Sequence, residues 1–442
     1  MIDLVSLHWM NKDQENNQGI ILVIVLWVLV ILTVMALSFS HSMVVEYRIS
    51  ANGIDKLKTM ELAKSGIERA IAEVSQDSTE IGTLTSRWRV NTDGFQNITL
   101  GEGTYTLFYP DLSSSDAKQG YGLVDENSKL NLNSATKEMI MRLPNADEIM
   151  ADSIIDWRSA TAKASTYGAK DEYYTQLTPP YKCKNGPFDT LEEVLLVKGI
   201  TPQIFYGEDA NLNGILDQNE NDGDASFPPD NGDGQLDRGW YPYITIYSYD
   251  VNAALDGSRR ININQASSSQ LRQLTQYGLS NSDISNIISY RRRNNNQFRS
   301  LGDLLNVTGI TNQKFGAISD YITMNNNEKL TGLINFNTAP KDVMELLPGM
   351  TPDLADKVIE TRNGTTGAFK NLGDIAEAIG TASFQQLSDY VTVRSTQFTI
   401  QSVGKLTSIN RGYTRLVAVI DRGTSPIRIL YYRDISDLGQ GS

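Results

Sequence analysis

The stretch from 208 to 239, EDANLNGILDQNENDGDASFPPDNGDGQLDRG, holds the residues whose types and spacing could do chemistry. Asp209, Asn211 and Asn213 stand at positions one, three and five of the twelve-residue calcium-loop pattern. Gly214 supplies the sharp turn, Ile215 a backbone carbonyl, and Asp217 an oxygen that binds directly or through water. Glu220 falls at position twelve, where a bidentate carboxylate belongs, and Leu216 is the apolar anchor after the turn. A hard cation takes about six to eight oxygens, and this loop offers them in order, so calcium is the expected cofactor. The competing reading is an acidic linker with no ion. A second, partial loop follows in Asn231, Asp233, Gln235 and Asp237, with Gly234 at its turn. Pro229 and Trp240 occupy its first and last positions, so its missing ligands are expected from Asp222, Asp224 or Asp230.

Other site chemistries are excluded or unmarked. The only histidines are His8 and His41, both near the amino terminus, which rules out a His-based catalytic or zinc site in the globular part. Cys183 is the sole cysteine, so no internal disulfide forms. Carboxylate neighbours such as Asp171 and Glu172 lack a spacing that would mark an acid and a base, and no enzyme is predicted. A net charge of −13 and a pI of about 4.8 oppose binding to nucleic acid through its phosphates.

The loop must be held by its flanks, a helix ending near Tyr206 and a strand over residues 243–247. Both belong to a threefold internal repeat. Its opening phrase occurs as LNLNSA at 130–135, ININQA at 261–266 and INFNTA at 334–339. A helical stretch follows, ending in Arg158, Arg291 and Arg362. Phe188, Phe298 and Phe369 then precede Gly199, Gly309 and Gly380 at one common spacing, and each copy closes on YITIY, YITM or YVTV. Ser134, Gln265 and Thr338 stand where a helix begins, and Ser134 and Thr338 are its expected caps. Polar pairs 189–190, 299–300 and 370–371 precede the next helix, which must end at the glycines. These units resemble helix-hairpin-helix repeats, which in other proteins grip DNA through glycine-containing turns. Here the turns at 143–146, 277–280 and 347–350 are poor versions, the first lacking Gly. Arg291-Arg292-Arg293 is the single basic run and reads as a solvated helix end.

Around the repeats lie strand-like runs at 86–90 and 104–109, and at 398–403, 415–421 and 427–433, the last three joined by turns at 410–412 and 422–424. Early and late strands form one sheet only if everything between them is an insertion. Ahead of the sheet, residues 20–37 carry no charge, Pro or Gly, and only Thr33 is polar. About 20 such residues at roughly 1.5 Å each span the roughly 30 Å core of a bilayer. No small-residue cleavage site follows, and Met60, Ala63, Ile67, Ala70, Ile71 and Val74 continue at helical spacing. One helix is therefore predicted from about Ile20 to Val74, its first half in lipid and its second half against a globular domain.

A polar leader ending in Gly19 before an apolar run resembles a type IV prepilin, which implies cleavage by prepilin peptidase between Gly19 and Ile20 and N-methylation of the new terminus. Met10 offers an alternative start with a shorter leader. Pilin-like subunits carry Glu at the fifth mature residue, and here that residue is Ile24. Lack of this Glu is the hallmark of the K-type minor pseudopilins of type II secretion. The phrases GLVDENSKLNLN and GAKDEYYTQLTPPYKCKNGPFDTLEEVLLVKGIT resemble that family's most recognisable wording. The family pattern has two repeats, so the middle copy is an extra.

The resemblance implies an α+β fold in which an amino-terminal transmembrane helix packs on a small antiparallel sheet, with a large, mostly helical inserted domain. The expected organisation is a leader over 1–19 and a long helix over 20–75, of which 20–40 cross the membrane. Residues 76–128 and 394–436 form the sheet, and 129–393 the insertion, with repeats at 129–250, 259–326 and 332–393. It further implies a structural subunit at the tip of a periplasmic filament, single-pass in the inner membrane, with calcium in the inserted domain and other minor pseudopilins as partners. A membrane-tethered DNA-binding protein of an uptake system is the alternative.

Overall fold

The computed structural model describes residues 6–112, 118–225, 227–365, 367–407 and 412–439, with the backbone alone over 6–18. Helix α1 (Ser6–Gln76) begins inside the leader rather than at Ile20. No Pro interrupts 6–19, and a single Gly inside a long helix costs only about 1 kcal/mol. Among the described residues α1 is the one helix long and apolar enough to cross a membrane, and its apolar run is unburied by the chain itself. Residues 1–58 form one unit and 59–442 a second.

In the second unit the rest of α1 lies on a seven-stranded antiparallel sheet. The strands are β1 (Ile98–Leu100), β2 (Gly103–Asp111), β3 (Lys118–Gly120), β4 (Val124–Asp125), β5 (Gln397–Leu406), β6 (Tyr413–Asp421) and β7 (Arg428–Asp434). Their order is β1-β2-β5-β6-β7, with β3 on β2 and β4 on β5. Phe108 of β2 faces Gln401 of β5, so the early and late segments form one sheet, as the strand-like runs require. Ala63, Ile67, Ala70 and Val74 of α1 are buried against Leu107, Phe398, Ile400 and Leu416. The helix comes so close that a Cβ on Gly404 would meet the Thr59 carbonyl at 2.2 Å.

Two sheet expectations are corrected, and three short strands are added. Residues 86–90 are turns rather than a strand, because Thr83 and Ser86 bond locally: the Ser86 amide donates to the Thr83 carbonyl at 3.2 Å and the Thr83 amide to Ser86 Oγ at 3.1 Å. Trp88 anchors this stretch, its ring 4.8 Å from that of Phe398. The last strand runs one residue later than the pattern suggests, and β1, β3 and β4 are too short to carry an alternating signal. The turn expected at 410–412 lies mostly outside the described residues.

Each repeat closes on itself through a two-residue parallel pair. Leu130–Asn131 pairs with Ile244–Thr245, Ile261–Asn262 with Ile322–Thr323, and Ile334–Asn335 with Val391–Thr392. The closing strands are thus shorter than the phrases suggest. The second Asn of each opening phrase clamps the backbone of the repeat's Phe. Asn133 accepts from the Phe188 amide at 2.8 Å and donates to its carbonyl at 3.1 Å. Asn264 grips Phe298 at 2.7 and 3.1 Å, and Asn337 grips Phe369 at 2.8 and 2.9 Å. Three longer helices, α2 (Glu148–Arg158), α3 (Asn281–Arg293) and α4 (Pro352–Asn363), carry the repeat arginines. Arg291 donates to the carbonyls of Ile263 and Ala266 at 2.7 and 2.9 Å, and Arg362 to those of Phe336 and Ala339 at 2.8 and 2.7 Å. Arg158 does the same to Leu132 and Ala135.

The caps also differ from expectation. Thr136 and Ser267 cap the first helices and Pro340 stands at the third, two residues beyond Ser134, Gln265 and Thr338. The first Asn of each phrase folds back on the amide two residues on, at 2.9 to 3.0 Å, and this turn delays the helix. After the Phe, residues 191–196 and 301–306 are 3₁₀ turns, whereas Leu372–Ile379 is an α-helix. Only the third copy has a side-chain cap, Asn371 accepting from the Gly373 and Asp374 amides. Gly199 and Gly309 end their turns at φ +89° and +90°, a conformation that favours glycine.

Candidate functional site

The expected loop folds in the register of the pattern. Asp209 is buried and accepts from the Asn213 and Gly214 amides at 2.9 and 3.0 Å. Asn211 Oδ1 accepts from the Asn213 amide at 3.0 Å, and Asn213 Oδ1 from the Ile215 amide at 2.6 Å. Asp217 Oδ2 receives both Asn side-chain amides, at 2.6 and 2.9 Å, and Glu220 Oε2 accepts from the Asp217 amide at 3.1 Å. Gly214 turns at φ +72°. One detail differs from the pattern: the buried apolar anchor is Leu212, at φ +57°, while Leu216 is half-buried.

Glu220 decides what this loop can do. Its side chain is 1% exposed, and Oε1 meets no hydrogen-bond partner among the described residues. Burial, with the Asp209 and Asp217 charges adding, pushes its carboxyl up to about 7, and burial likewise raises that of Asp209. A buried oxygen without a partner is costly, and a hard cation bound by this donor set would relieve that cost. Among the described residues no three His, Cys, Asp or Glu side chains form a ligand group by themselves. This loop instead mixes two Asn side chains and a backbone carbonyl with its carboxylates.

The second loop repeats part of this geometry. Asn231 donates to Asp237 at 3.1 Å, as Asn211 does to Asp217 six residues on. The Asp233 and Gln235 amides are held by Asn231 and Asp233 at 2.8 Å each. The amide at position nine, which Glu220 holds in the first loop, is held here by Glu208, a contact that sequence spacing missed. Its buried carboxylate accepts from the Asp237 amide at 2.9 Å and the Asn231 amide at 3.2 Å. Asp230 instead binds the amides of Asp222, Gly223 and Gly232, and Asp222 and Asp224 remain exposed. Glu208 precedes the first loop rather than following the second, so no local pattern could reveal it.

Gly19 and Ile20 lie within α1, exposed in the chain. In the basic run, Arg291 is committed to its own repeat, which leaves Arg292 and Arg293 facing solvent. The phrase GLVDENSKLNLN forms a buried junction. Asp125 accepts from Ser395, Thr338 and Asn335 at 2.5, 2.6 and 3.1 Å, joining the sheet to the third repeat. Glu126 accepts from Thr399 at 2.7 Å, from Lys129 at 2.7 Å and from Thr245, joining the sheet to the first.

That junction and the first repeat coincide with a family match. Residues 123–206 match the family described as "Type II secretion system (T2SS), protein K". This segment is thus similar to a domain of type II secretion protein K. Residues 257–323 and 331–392, the middle and third repeats, match the helix-hairpin-helix motif. A type II secretion system protein K from Aeromonas hydrophila is 39% identical over 57 residues, 13% of this chain and 17% of that protein. The chain is thus aligned over about a sixth of that relative's length. A crystal structure of the GspK-GspI-GspJ complex from enterotoxigenic Escherichia coli aligns over 87% of this chain and 98% of that one, with a TM-score of 0.47 and 11% identity. The protein K match and the two motif matches each fall on one repeat, the first stopping at 206, ahead of the acidic insert and the closing strand.

Proposed function

We propose that this protein is a K-type minor pseudopilin, a structural subunit at the tip of a type II secretion pseudopilus, and not an enzyme. The observation that carries the reading is the protein K match over 123–206, which falls on the Asp125–Glu126 junction tying sheet and repeats together. An apolar helix ahead of the sheet supports single-pass anchoring, with the inner membrane as its location and the globular part in the periplasm. Prepilin peptidase would cut after Gly19 and leave Ile20 as an N-methylated terminus. Ile24 suits a subunit with nothing above it, since a Glu in the bilayer is costly without a partner. Other minor pseudopilins are its partners, as in the complex named for the E. coli relative.

Two measurements test this. Mass spectrometry of the membrane-extracted chain should find Ile20 first, and a terminus beyond Ser40 would refute the reading. Affinity capture of the membrane protein should bring down other minor pseudopilins. The uptake alternative predicts micromolar, salt-sensitive DNA binding that is lost on changing Arg292 and Arg293. Arg291 is unsuitable for that test, because its loss would loosen the middle repeat.

Calcium is the cofactor that the loop supports, held by Asp209, Asn211, Asn213, the Ile215 carbonyl, Asp217 and Glu220. The second loop, with Asn231, Asp233, Gln235, Asp237 and now Glu208, is a weaker companion because it lacks an acid at position one. At about 100-fold excess over its dissociation constant, calcium would stabilise the fold by about 2.7 kcal/mol.

A further inference from the structure

Every backbone carbonyl from Asn211 to Asn213 is held by the sheet rather than by the repeats. Arg415 of β6 is fully buried. It donates to the Asn211 carbonyl at 2.6 Å and, through its other terminal nitrogen, to the Leu212 carbonyl at 2.7 Å and Gln401 of β5 at 2.6 Å. Gln119 of β3 donates to the Asn213 carbonyl at 2.8 Å. Gly214, the loop's turn, rests on Pro110 of β2 so tightly that a Cβ there would sit 2.4 Å from the proline ring. Four strands thus contact four consecutive loop residues, directly or through Arg415. The guanidinium stacks 5.2 Å from the Phe108 ring, and burial lowers its pKa to about 10, so it is charged under all ordinary conditions.

We propose that the Asp209–Glu220 loop is a calcium-dependent latch between the inserted domain and the sheet, with Arg415 as the positioning residue on the sheet side. The proposal rests on the calcium reading above. The oxygens that would face the ion and the carbonyls held by Arg415 and Gln119 share one short segment, 209 to 217, with the held carbonyls at 211 to 213. Holding the carbonyls of Asn211, Leu212 and Asn213 outward fixes the side chains of Asn211 and Asn213 inward. Conversely, an ion gathering Asp209, Asp217 and Glu220 tightens the turn that presents those carbonyls to Arg415 and Gln119. The two halves are thermodynamically linked, so a change at Arg415 must appear in calcium affinity and a loss of calcium must appear in the sheet. Electrostatics alone predicts the reverse sign, since a buried cation near Asp209 repels the ion.

The test uses the full chain in detergent, with calcium titrated calorimetrically and amide exchange followed with calcium and with chelator. Calcium should slow exchange in the loop and also in β3 and β6, where no ligand lies. Arg415→Lys keeps the charge but not the fork, and it should weaken calcium binding about tenfold, the scale for groups that orient metal ligands. Should that variant fold poorly, Gln119→Ala removes one carbonyl donor at the rim and should weaken binding less, in the same direction. Pairing Gln119→Ala with Glu220→Gln should give non-additive melting shifts. Protection confined to the loop, or unchanged affinity in both variants, would overturn the latch while leaving the calcium site standing. No calcium heat in the unaltered chain would remove the site and the latch together.

Discussion

Burial pushes the Asp125 carboxyl up to about 6, even though Ser395, Thr338, Asn335 and the Asn127 amide all donate to it. A carboxyl whose folded pKa lies above its ordinary 3.8 holds its proton longer when folded. Its contribution to stability is complete below about pH 4 and is lost as pH rises through about 6. Asp125→Asn should therefore flatten the fall in melting temperature between pH 5 and 7, read by thermal melts across that range. Glu220, pushed up to about 7, has the same sign without an ion. Calcium requires the ionised carboxylate, so the melting shift on adding calcium should be larger at pH 8 than at pH 5.5. Glu220→Ala should abolish most of that shift, whereas Asp233→Ala in the exposed second loop should remove little. Identical melts with calcium and chelator would return the loop to an acidic linker.

At the level of elements, the repeat wording encodes its own hydrogen bonds. Asn337 is fully buried and serves both the amide and the carbonyl of Phe369, so Asn337→Ala leaves two buried backbone groups unpaired. That should cost about 2–4 kcal/mol, measured by urea unfolding. Asn264→Ala at the partly exposed equivalent in the middle copy should cost less. The phrases, the arginines and the glycines were legible because three copies print the same spacing three times. Their purpose was not, because Asn-to-Phe and Arg-to-carbonyl bonds join residues about 20 to 55 apart. The false strand at 86–90 has the opposite cause: strand-forming residues with hydroxyl neighbours satisfied the backbone locally before any sheet partner could. The loop over 209–220 was readable as a calcium-loop pattern because its polar residues sit at fixed short intervals. Glu208 escaped because it completes a loop that begins over 20 residues later.

At the scale of the molecule, the middle repeat has a specific seat. Residues 249–251, leaving the first repeat, pair antiparallel with 329–331, leading to the third, and the Asn252 amide extends the ladder to the Glu328 carbonyl at 2.9 Å. The middle repeat is the segment of chain that joins those two paired strands. It also packs on the third repeat, where a Cβ on Gly373 would meet the Asn312 carbonyl at 2.3 Å and the Phe315 and Phe384 rings are 5.6 Å apart. Replacing residues 253–327 with a two-residue Asn-Gly turn should leave an ordinary hairpin, with sheet, first and third repeats folded. The melting temperature should fall, since the face of Leu372–Ile379 is uncovered. A chain that no longer gives a cooperative melt would show that the third repeat cannot stand without the second. The ladder also says how such a protein can change length. A segment whose first and last strands touch can be spliced into the tip of a hairpin without shifting the register of anything outside it. A repeat can then be gained or lost at this point while the sheet and the junction at Asp125 keep their geometry.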